Sequence, residues 1–542
     1  MKTQIQLIDT LIKEGNYKKA EDIVWGMHKA NPSNLQIKKL LALVLLLEKN
    51  YVLSEKYYIE VMNEMPNDYD VNCNLAYIYS ANEEFSLCEK FALNANNIND
   101  KHPASYLHLA ELSMKTRQFE KAKQILDKCI EIYGGEEKLM VSDKDTVRVK
   151  NNYRDALLGL KNTQAAIDFL RKLNLDDKNR ENYGENVGEN FYVLIDIDVN
   201  VIDQKDIEEL HKIINKKYPT EKSEWRNKVG ALYALGSYYD KKKDKNESEK
   251  FFDLANKLVL KRQRFVPMGE QKLINNLIKN YVEPDILPAS DNLNKGQGII
   301  FITGLPRSGT TLLESILSTN PHTESGGELI SMTNLCRSLI EQNAFQFEKS
   351  NLKAHIELIG DKYLNRVSYI RKDKKYFIDK LPGNYFNAYF ISKILPAAKI
   401  INLKRDLWDV AVSAYKRLYI NNVAYSSNFF YLGVGSANYL CLIHLWEKLF
   451  KINQFKSFSY ESLVTDSEGT TATILDFCGI DGGVEFEKRS GFLSRTASVN
   501  QIREGIHQKS IQKKEFEHHK DEFNESLSQQ IHYWTEKGYF SQ

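Results

Sequence analysis

The sequence has no long hydrophobic run, no large charge excess and no closely spaced cysteines. Its longest apolar run, residues 40–47, has eight residues, whereas a membrane-spanning helix needs about 20. Lys and Arg number 74 against 72 for Asp and Glu, so no general attraction for nucleic acid or anionic membranes exists. The six cysteines lack the spacing of a zinc site or of a disulfide scaffold. We expect reduced thiols, no transmembrane segment, no metal and no nucleic-acid partner.

The N-terminal segment lacks the continuous apolar stretch of a secretory signal. Asp9, Lys13 and Glu14 interrupt its apolar residues at helical spacing. We therefore expect the protein to remain in the cytoplasm.

The N-terminal half contains a repeat with a period of 34 residues. Alanines recur at this interval, an aromatic residue follows each after nine positions, and a small residue follows that aromatic after three. The alanines are Ala42, Ala76 and Ala110, the aromatics Tyr17, Tyr51, Phe85 and Phe119, and the small residues Ala20, Ser54, Cys88 and Ala122. Pro32 and Pro66 follow the predicted second helices. The shift to Pro103 in the next repeat predicts a longer turn there.

This pattern resembles the tetratricopeptide repeat, in which helix pairs stack into a solenoid with a concave binding face. The resemblance implies that this face holds a protein partner, the acceptor substrate of an attached enzyme, or a second copy of the chain in a homodimer. We predict these repeats at 1–138, degenerate helical repeats at 139–268, a linker at 269–295 and a different domain at 296–542.

A short apolar run at 298–302 marks the change of pattern and predicts a strand buried on both faces. The sequence GLPRSGTT follows at 304–311, and an amphipathic helix follows the loop. A strand, a glycine loop and a helix N-terminus in this order bind anions, because backbone N–H groups and the helix dipole converge on one point.

Such a loop occurs in two enzyme classes, and the nucleotide-hydrolysing P-loop enzymes are the first to consider. The pattern GxxxxGK[ST] of nucleotide-hydrolysing P-loops fits at Gly304, Gly309 and Thr311, but Thr310 stands where that pattern has lysine. The missing lysine argues against nucleotide hydrolysis. Arg307 instead adds a planar cation suited to phosphate or sulfate oxygens.

The segment PRSGTTL after a buried strand resembles the 5′-phosphosulfate loop of the sulfotransferase family, in the variant found in tyrosylprotein sulfotransferases and bacterial repeat-containing homologues. The resemblance implies that an α/β domain with a central parallel sheet follows the all-α solenoid in the sequence. It also implies 3′-phosphoadenylyl sulfate as the donor of a sulfuryl group to a hydroxyl acceptor. The residues that would hold the donor in this loop are Arg307, Ser308, Gly309, Thr310 and Thr311.

A second part of the family pattern follows a predicted strand at 398–403. The resemblance assigns Arg405 and Ser413 to the 3′-phosphate of the donor, and Arg417 lies four residues after Ser413 on the same face of a predicted helix. Tyr460, in a Y-E-x-L-V stretch, corresponds to the family's tyrosine near the adenine.

A third part of the pattern lies near the C-terminus. The segment around Ser498 and Lys513 resembles the family's C-terminal donor-binding loop, with Lys514 where relatives carry tryptophan.

The catalytic roles also come from the resemblance. Sulfuryl transfer needs a general base for the acceptor hydroxyl and a cation for the leaving group. Glu328 corresponds to the family's base, while His322 does not align with the histidine base of small-molecule sulfotransferases and ranks second. Lys380, with Arg307 and Ser498, would stabilise the leaving group. Two alternatives stay open, a P-loop kinase or hydrolase and a non-catalytic repeat scaffold.

Overall fold

The computed structural model describes residues 2–141, 146–175, 187–217, 221–262, 267–341, 349–419, 424–450, 453–487 and 514–541. They form two compact units, Met1–Ala156 and Leu157–Gln542.

The first unit is built from paired helices, as the repeat predicts. Its helices are α1 (Lys2–Lys13), α2 (Tyr17–Ala30), α3 (Leu35–Leu47), α4 (Tyr51–Glu64), α5 (Tyr69–Ala81), α6 (Phe85–Ile98), α7 (Pro103–Lys115), α8 (Phe119–Ile132), α9 (Glu136–Val141) and α10 (Val147–Gly159). Each aromatic of the 34-residue pattern is the first residue of a second helix. The helical-repeat prediction is therefore confirmed.

Small residues allow the two helices of a pair to approach closely. The Ser54 hydroxyl is fully buried and donates a hydrogen bond of 2.8 Å to the Ala42 carbonyl oxygen on the facing helix. A larger side chain at this position would push α3 and α4 apart. The 34-residue period thus reflects the close contacts between paired helices as well as the helix boundaries.

We expect Ser54→Leu to destabilise the protein by roughly 1 to 3 kcal/mol, because the added side chain overpacks this helix contact. Thermal unfolding measures the change. Val52→Leu, at a position 79% exposed on the same helix, is the control and is expected to unfold like the wild type. Equal unfolding of both variants would contradict the close approach.

The longer turn predicted before Pro103 is wrong. Four residues separate α6 from α7, as they do α2 from α3 and α4 from α5. Pro103 is instead the first residue of α7, where proline is tolerated because the N–H of that position has no helical partner.

The second unit begins with further helices before any strand. They are α11 (Thr163–Leu175), α12 (Val187–Ile197), α13 (Gln204–Asn215), α14 (Glu221–Lys241), α15 (Lys245–Arg262) and α16 (Pro267–Leu277), with short 3₁₀ and π segments at Val199–Val201 and Ile278–Val282. In the α14/α15 pair the Ser248 hydroxyl donates to the Gly236 carbonyl oxygen over 3.0 Å. This contact matches the one between Ser54 and Ala42, so this pair keeps the repeat geometry.

These helices pack on the α/β domain rather than forming a separate region at 139–268. The Asn256 side chain donates to the Tyr415 carbonyl oxygen at 3.0 Å, and Lys416 pairs with Asp240 at 2.6 Å. The segment 269–295, expected as a linker, contains most of α16 and the π segment, with Ile274 and Ile278 buried. The boundary between compact units falls after Ala156, so the later helices belong to the same unit as the sheet.

The α/β domain contains a five-stranded parallel sheet within the described residues. The strands are β1 (Ile299–Thr303), β2 (Thr323–Gly327), β3 (Tyr376–Lys380), β4 (Lys399–Lys404) and β5 (Phe455–Ser459), in the order β2-β3-β1-β4-β5. All neighbours are parallel, and β1 lies between β3 and β4. Every residue of β1 is buried, as the apolar run predicts.

Helices connect and cover these strands. They are α17 (Thr310–Leu317), α18 (Ser331–Glu341), α19 (Lys349–Arg371), α20 (Ala388–Ile394), α21 (Leu407–Tyr415), α22 (Phe429–Leu449), α23 (Tyr460–Thr465), α24 (Ser467–Cys478) and α25 (Lys520–Glu536), with 3₁₀ segments at Pro382–Asn387, Ala424–Ser427 and Glu517–His519. Strand residues such as Ile302 and Ile401 share a core with Leu313 of α17. The carboxyl ends of β1, β3 and β4 therefore meet at one edge, where open parallel sheets bind ligands.

Among the described residues, α22 alone has the length and apolar character of a membrane span, and 67% of its apolar window is buried inside the protein. Its Asn438 side chain accepts a hydrogen bond from the Trp534 indole at 2.9 Å. Trp446 on the same helix donates to the Tyr385 carbonyl oxygen at 2.8 Å. These contacts make α22 a core helix of the second unit.

All six cysteines are free and buried. Burial raises the pKa of Cys73 to about 11 and that of Cys441 to about 12. These thiols therefore stay protonated at neutral pH and act as small apolar side chains.

Candidate active site

The loop after β1 has a backbone that depends on its two glycines. A Cβ on Gly304 would lie 2.6 Å from Ser308 Oγ and 2.7 Å from the Leu403 carbonyl oxygen. Gly309 caps α17 with a φ of 99°, and a Cβ there would lie 2.3 Å from the Tyr460 ring. Both positions exclude a side chain, so the loop can approach a ligand with its backbone.

The start of α17 provides buried polar groups. Ser308, Thr310 and Thr311 are 1%, 3% and 5% exposed. Within the described residues the Ser308 hydroxyl has no hydrogen-bond partner. A buried hydroxyl without a partner beside a helix N-terminus fits an anionic ligand, because both supply donors at one point.

Arg307 connects the loop to helix α21. Its Nε donates to Ser413 Oγ at 3.0 Å, and its own carbonyl oxygen accepts a hydrogen bond of 2.8 Å from Arg405 Nη1. Arg307 has a φ of 75°, which is uncommon for a residue with a side chain. The structure thus brings together three residues that the sequence placed in two separate motifs.

Tyr460 closes one side of this group. The Arg405 guanidinium lies 4.5 Å from the centre of the Tyr460 ring, a distance that allows a cation–π interaction. The same ring contacts the loop at Gly309. Tyr460 therefore lies beside the loop residues.

Arg417 lies at the site but not on the predicted helix face. Helix α21 ends at Tyr415, and the Arg417 N–H donates to the Ala414 carbonyl oxygen in the turn that follows. Its Nη1 lies 3.3 Å from Asp196 Oδ2, and its guanidinium lies 5.4 Å from the centre of the Tyr192 ring. The helix ends two residues before Arg417, and Asp196 and Tyr192 of α12 orient the Arg417 side chain.

The arginines at this edge form a cationic cluster. Burial lowers the pKa of the Arg307 guanidinium, and the nearby Arg417 and Arg405 lower it further, while Tyr419 acts in the opposite direction. Like charges held this close favour a bound anion, which reduces their repulsion.

The second chemical group of the site is an ion pair at the ends of β2 and β3. Lys380 is fully buried, and its Nζ lies 2.5 Å from Glu328 Oε1 and 3.6 Å from Glu314 Oε2. Glu328 follows β2, and 45% of its side chain is exposed. A buried lysine needs such compensation, and the exposed part of Glu328 faces solvent.

Glu314 was not expected from the sequence, because it occurs in an ordinary amphipathic helix. It is fully buried and accepts a hydrogen bond of 2.6 Å from the Ser325 hydroxyl. Ser325 in turn accepts from the Gly327 N–H at 3.1 Å. Glu314 therefore joins α17 to the turn that carries Glu328.

Backbone and side-chain contacts link the ion pair to the loop. The Gly304 N–H donates to the Pro382 carbonyl oxygen at 3.2 Å, two residues after Lys380. Burial raises the pKa of Tyr419 above its usual value. Arg307 and Arg417 lower this pKa and Glu328 raises it, so Tyr419 lies near both the arginine cluster and the ion pair. No motif marks Tyr419 in the sequence.

One candidate from the sequence lies away from the ion pair. His322 is exposed and immediately precedes β2, at the end of that strand opposite Glu328. A five-residue strand spans roughly 16 Å, so His322 is distant from the ion pair. Ser498 and Lys513 lie outside the described residues.

A parallel sheet with a glycine loop, a helix N-terminus and arginines at one edge provides the donors and positive charge that a phosphate-like group requires. Residues 299–482 match the model of the sulfotransferase family, and residues 103–135 and 229–258 match that of the tetratricopeptide repeat. The chain thus combines tetratricopeptide repeats with a sulfotransferase-family domain. The second repeat match includes the end of α14 and most of α15.

An uncharacterized protein of Aquifex aeolicus (strain VF5) is 26% identical over 307 residues, which are 53% of this chain. The chain spans 40% of that relative's length.

Similar solved structures include a tetratricopeptide repeat protein from Parabacteroides merdae ATCC 43184, 13% identical over 47% of this chain and 92% of its own, with a TM-score of 0.35. A sulfotransferase domain from the curacin biosynthetic pathway is 16% identical over 43% and 96% of the two chains, with a TM-score of 0.24. A sulfotransferase from Mycobacterium tuberculosis H37Rv is 14% identical over 61% and 98%, also with a TM-score of 0.24.

Proposed function

We propose that the α/β domain is a sulfotransferase that moves a sulfuryl group from 3′-phosphoadenylyl sulfate to a hydroxyl acceptor. The proposal rests on two hydrogen bonds, one from Arg307 to Ser413 and one from Arg405 to the Arg307 carbonyl oxygen. It joins two anion-binding elements, one after β1 and one after β4. A donor with anionic groups at both ends of its ribose requires such a pair of elements, and the sulfotransferase family match supports it.

The residues present fit this donor. Ser308 Oγ and Arg417 Nε are buried without a hydrogen-bond partner in the described parts of the chain. In the proposal the loop from Arg307 to Thr311 holds the 5′-phosphosulfate, and Arg405, Ser413 and Arg417 hold the 3′-phosphate. Tyr460 lies beside the adenine. Ser498 and Lys513, which lie outside the described residues, are also assigned to the donor.

The catalytic step in this proposal depends on three side chains. The donor supplies the activated sulfuryl group. Glu328 accepts the proton of the acceptor hydroxyl through its exposed carboxylate oxygen. Lys380 and Arg307 donate to the oxygen on which negative charge develops as the old bond breaks. Because Glu314 also lies near Lys380, the lysine keeps a compensating carboxylate when Glu328 binds the acceptor.

Nucleotide hydrolysis fits these residues less well. Thr310 replaces the P-loop lysine. P-loop hydrolases carry a magnesium-binding acid after an apolar strand segment, and Asp379 occupies such a position in β3. Asp379 is fully buried, however, and accepts a hydrogen bond of 2.8 Å from the Tyr363 hydroxyl. These contacts give Asp379 a structural role within β3.

We also propose that the repeats bind a protein partner or the acceptor. The first unit contains a cavity of about 770 Å³ whose lining is largely apolar and aromatic. His108 lies in that lining, and burial lowers its pKa to about 4, so it is neutral at pH 7. The lining also includes the charged residues Lys39, Lys49, Asp70 and Arg148, so the cavity suits a bound polypeptide that presents both apolar and charged side chains. Residues of the lining include Leu40, Leu43, Tyr58, Tyr77 and His108.

A thermal-shift comparison tests the proposed donor. We expect adenosine 3′,5′-bisphosphate to raise the Tm of the full chain by roughly 5 °C when present at about 100 times its Kd. Mg-ATP is expected to leave the Tm unchanged, because Thr310 replaces the lysine that binds its terminal phosphates. Stabilisation by Mg-ATP alone would favour a kinase or hydrolase, and stabilisation by neither ligand a scaffold.

A further inference from the structure

Two histidines and a carboxylate lie close together in the second unit. Asp253 lies on α15, whereas His518 and His519 end the 3₁₀ segment Glu517–His519 just before α25. Their candidate ligand atoms all lie within 4.8 Å of one another. Asp253 and His518 are 265 residues apart in the chain, so no spacing motif marks the group.

The distances within this cluster match those around a zinc ion. His518 Nε2 lies 3.4 Å from Asp253 Oδ2, and His519 Nε2 lies 3.4 Å from Asp253 Oδ1. In a tetrahedral zinc site with ligand bonds of about 2.0 to 2.1 Å, neighbouring ligand atoms are about 3.3 to 3.4 Å apart. Each histidine Nε2 thus lies at the ligand-to-ligand distance of a zinc site from one of the two oxygens of the Asp253 carboxylate.

Other groups hold the ligands in the required orientation. Glu522 Oε2 lies 3.3 Å from His519 Nδ1, and Glu249 Oε2 lies 3.7 Å from His518 Nδ1. The Tyr415 hydroxyl donates to Asp253 Oδ1 at 2.8 Å. In metal sites a second carboxylate commonly binds the remaining ring nitrogen and so fixes the tautomer.

Ion pairing alone leaves part of this arrangement unexplained. His519 Nε2 is buried and makes no hydrogen bond within the described residues, although Asp253 Oδ1 is 3.4 Å away. Both imidazoles face one carboxylate, and their ring centres are 4.2 Å apart. Two protonated imidazoles at this distance would repel each other, whereas a shared cation would bind both neutral rings.

We propose that Asp253, His518 and His519 bind a Zn²⁺ ion through the Asp253 carboxylate and the two Nε2 atoms, with water completing the coordination. The side chain of His518 is 52% exposed, so the water can reach the ion. The ion joins α15 to the start of α25. Tyr415 connects Asp253 to the end of α21, the helix that carries Ser413. The site is structural, and it does not depend on the proposed transfer reaction.

Calorimetry on the metal-free full chain tests this site with ZnCl₂ as the probe. We expect one Zn²⁺ to bind per chain and to raise the Tm. His518→Gln, at the exposed ligand, is expected to weaken binding at least about tenfold while preserving the fold, and His519→Gln is expected to do the same. With Co²⁺ in place of zinc, we expect the visible absorption of a tetrahedral complex in the wild type only.

The control is His532→Gln. His532 is an exposed histidine of α25 that pairs with Glu536 on the same helix, and its replacement should leave zinc binding intact. The proposal is overturned if the wild type shows no tight binding. It is also overturned if zinc binds His518→Gln as tightly as the wild type, which would mean adventitious binding elsewhere.

Discussion

Glu328→Ala is expected to lower turnover roughly 10²- to 10⁴-fold, because the acceptor hydroxyl loses its general base. Donor binding should change little, since Glu328 contacts Lys380 rather than the arginine cluster. The fold should also survive, because Glu314 still lies 3.6 Å from the buried Lys380 amine. Initial rates with a sulfur-labelled donor measure the change, and titration with adenosine 3′,5′-bisphosphate checks donor binding.

Two further variants separate catalysis from structure. Glu328→Gln keeps an oxygen within reach of Lys380 but cannot take a proton at neutral pH, so it should be nearly as slow as Glu328→Ala. Glu324→Gln changes a glutamate of β2, the strand that Glu328 follows, and should keep wild-type turnover. Wild-type turnover of Glu328→Gln would show that another group removes the acceptor proton.

Arg405→Ala is expected to weaken binding of adenosine 3′,5′-bisphosphate roughly 10- to 100-fold, the usual effect of losing a charged hydrogen bond. Two consequences of the change add together. The 3′-phosphate loses a cation, and the Arg307 carbonyl oxygen loses the hydrogen bond that holds the loop. Calorimetry measures the affinity, and higher salt should reduce the difference between variant and wild type.

The neighbouring cation provides the matched control. Lys404 is 41% exposed and pairs with Glu447, so Lys404→Ala should bind the bisphosphate like the wild type. Adenosine 5′-monophosphate lacks the 3′-phosphate, and its affinity should fall less in Arg405→Ala. Equal losses for the two nucleotides would mean that Arg405 acts only through the loop.

The repeats and the strand-loop-helix were predictable because each depends on residues close in sequence. An aromatic residue at a helix start and a small residue at a helix contact recur with a fixed period. Pro103 shows the limit of this approach, because proline is compatible both with a turn and with the first position of a helix. Its position alone does not decide between them.

The remaining features depend on contacts between distant residues. Asp196 and Arg417 are 221 positions apart, and Asn256 and Tyr415 are 159 apart. Neither contact leaves a pattern, so the sequence did not show that the helices before the sheet pack against the site. Glu314 was missed for another reason, since its burial depends on the position of Lys380.

Transfer of label from sulfur-35 3′-phosphoadenylyl sulfate tests the central claim most directly. The full chain is incubated with this donor and mixed pools of peptides, carbohydrates and small hydroxyl compounds, and labelled products are separated from the donor. We predict a labelled product that forms with the wild type and nearly disappears with Glu328→Ala. A sulfotransferase function would be contradicted if adenosine 3′,5′-bisphosphate failed to bind and no pool acquired label. Equal labelling rates for the wild type and Glu328→Ala would contradict the role of Glu328 as the base.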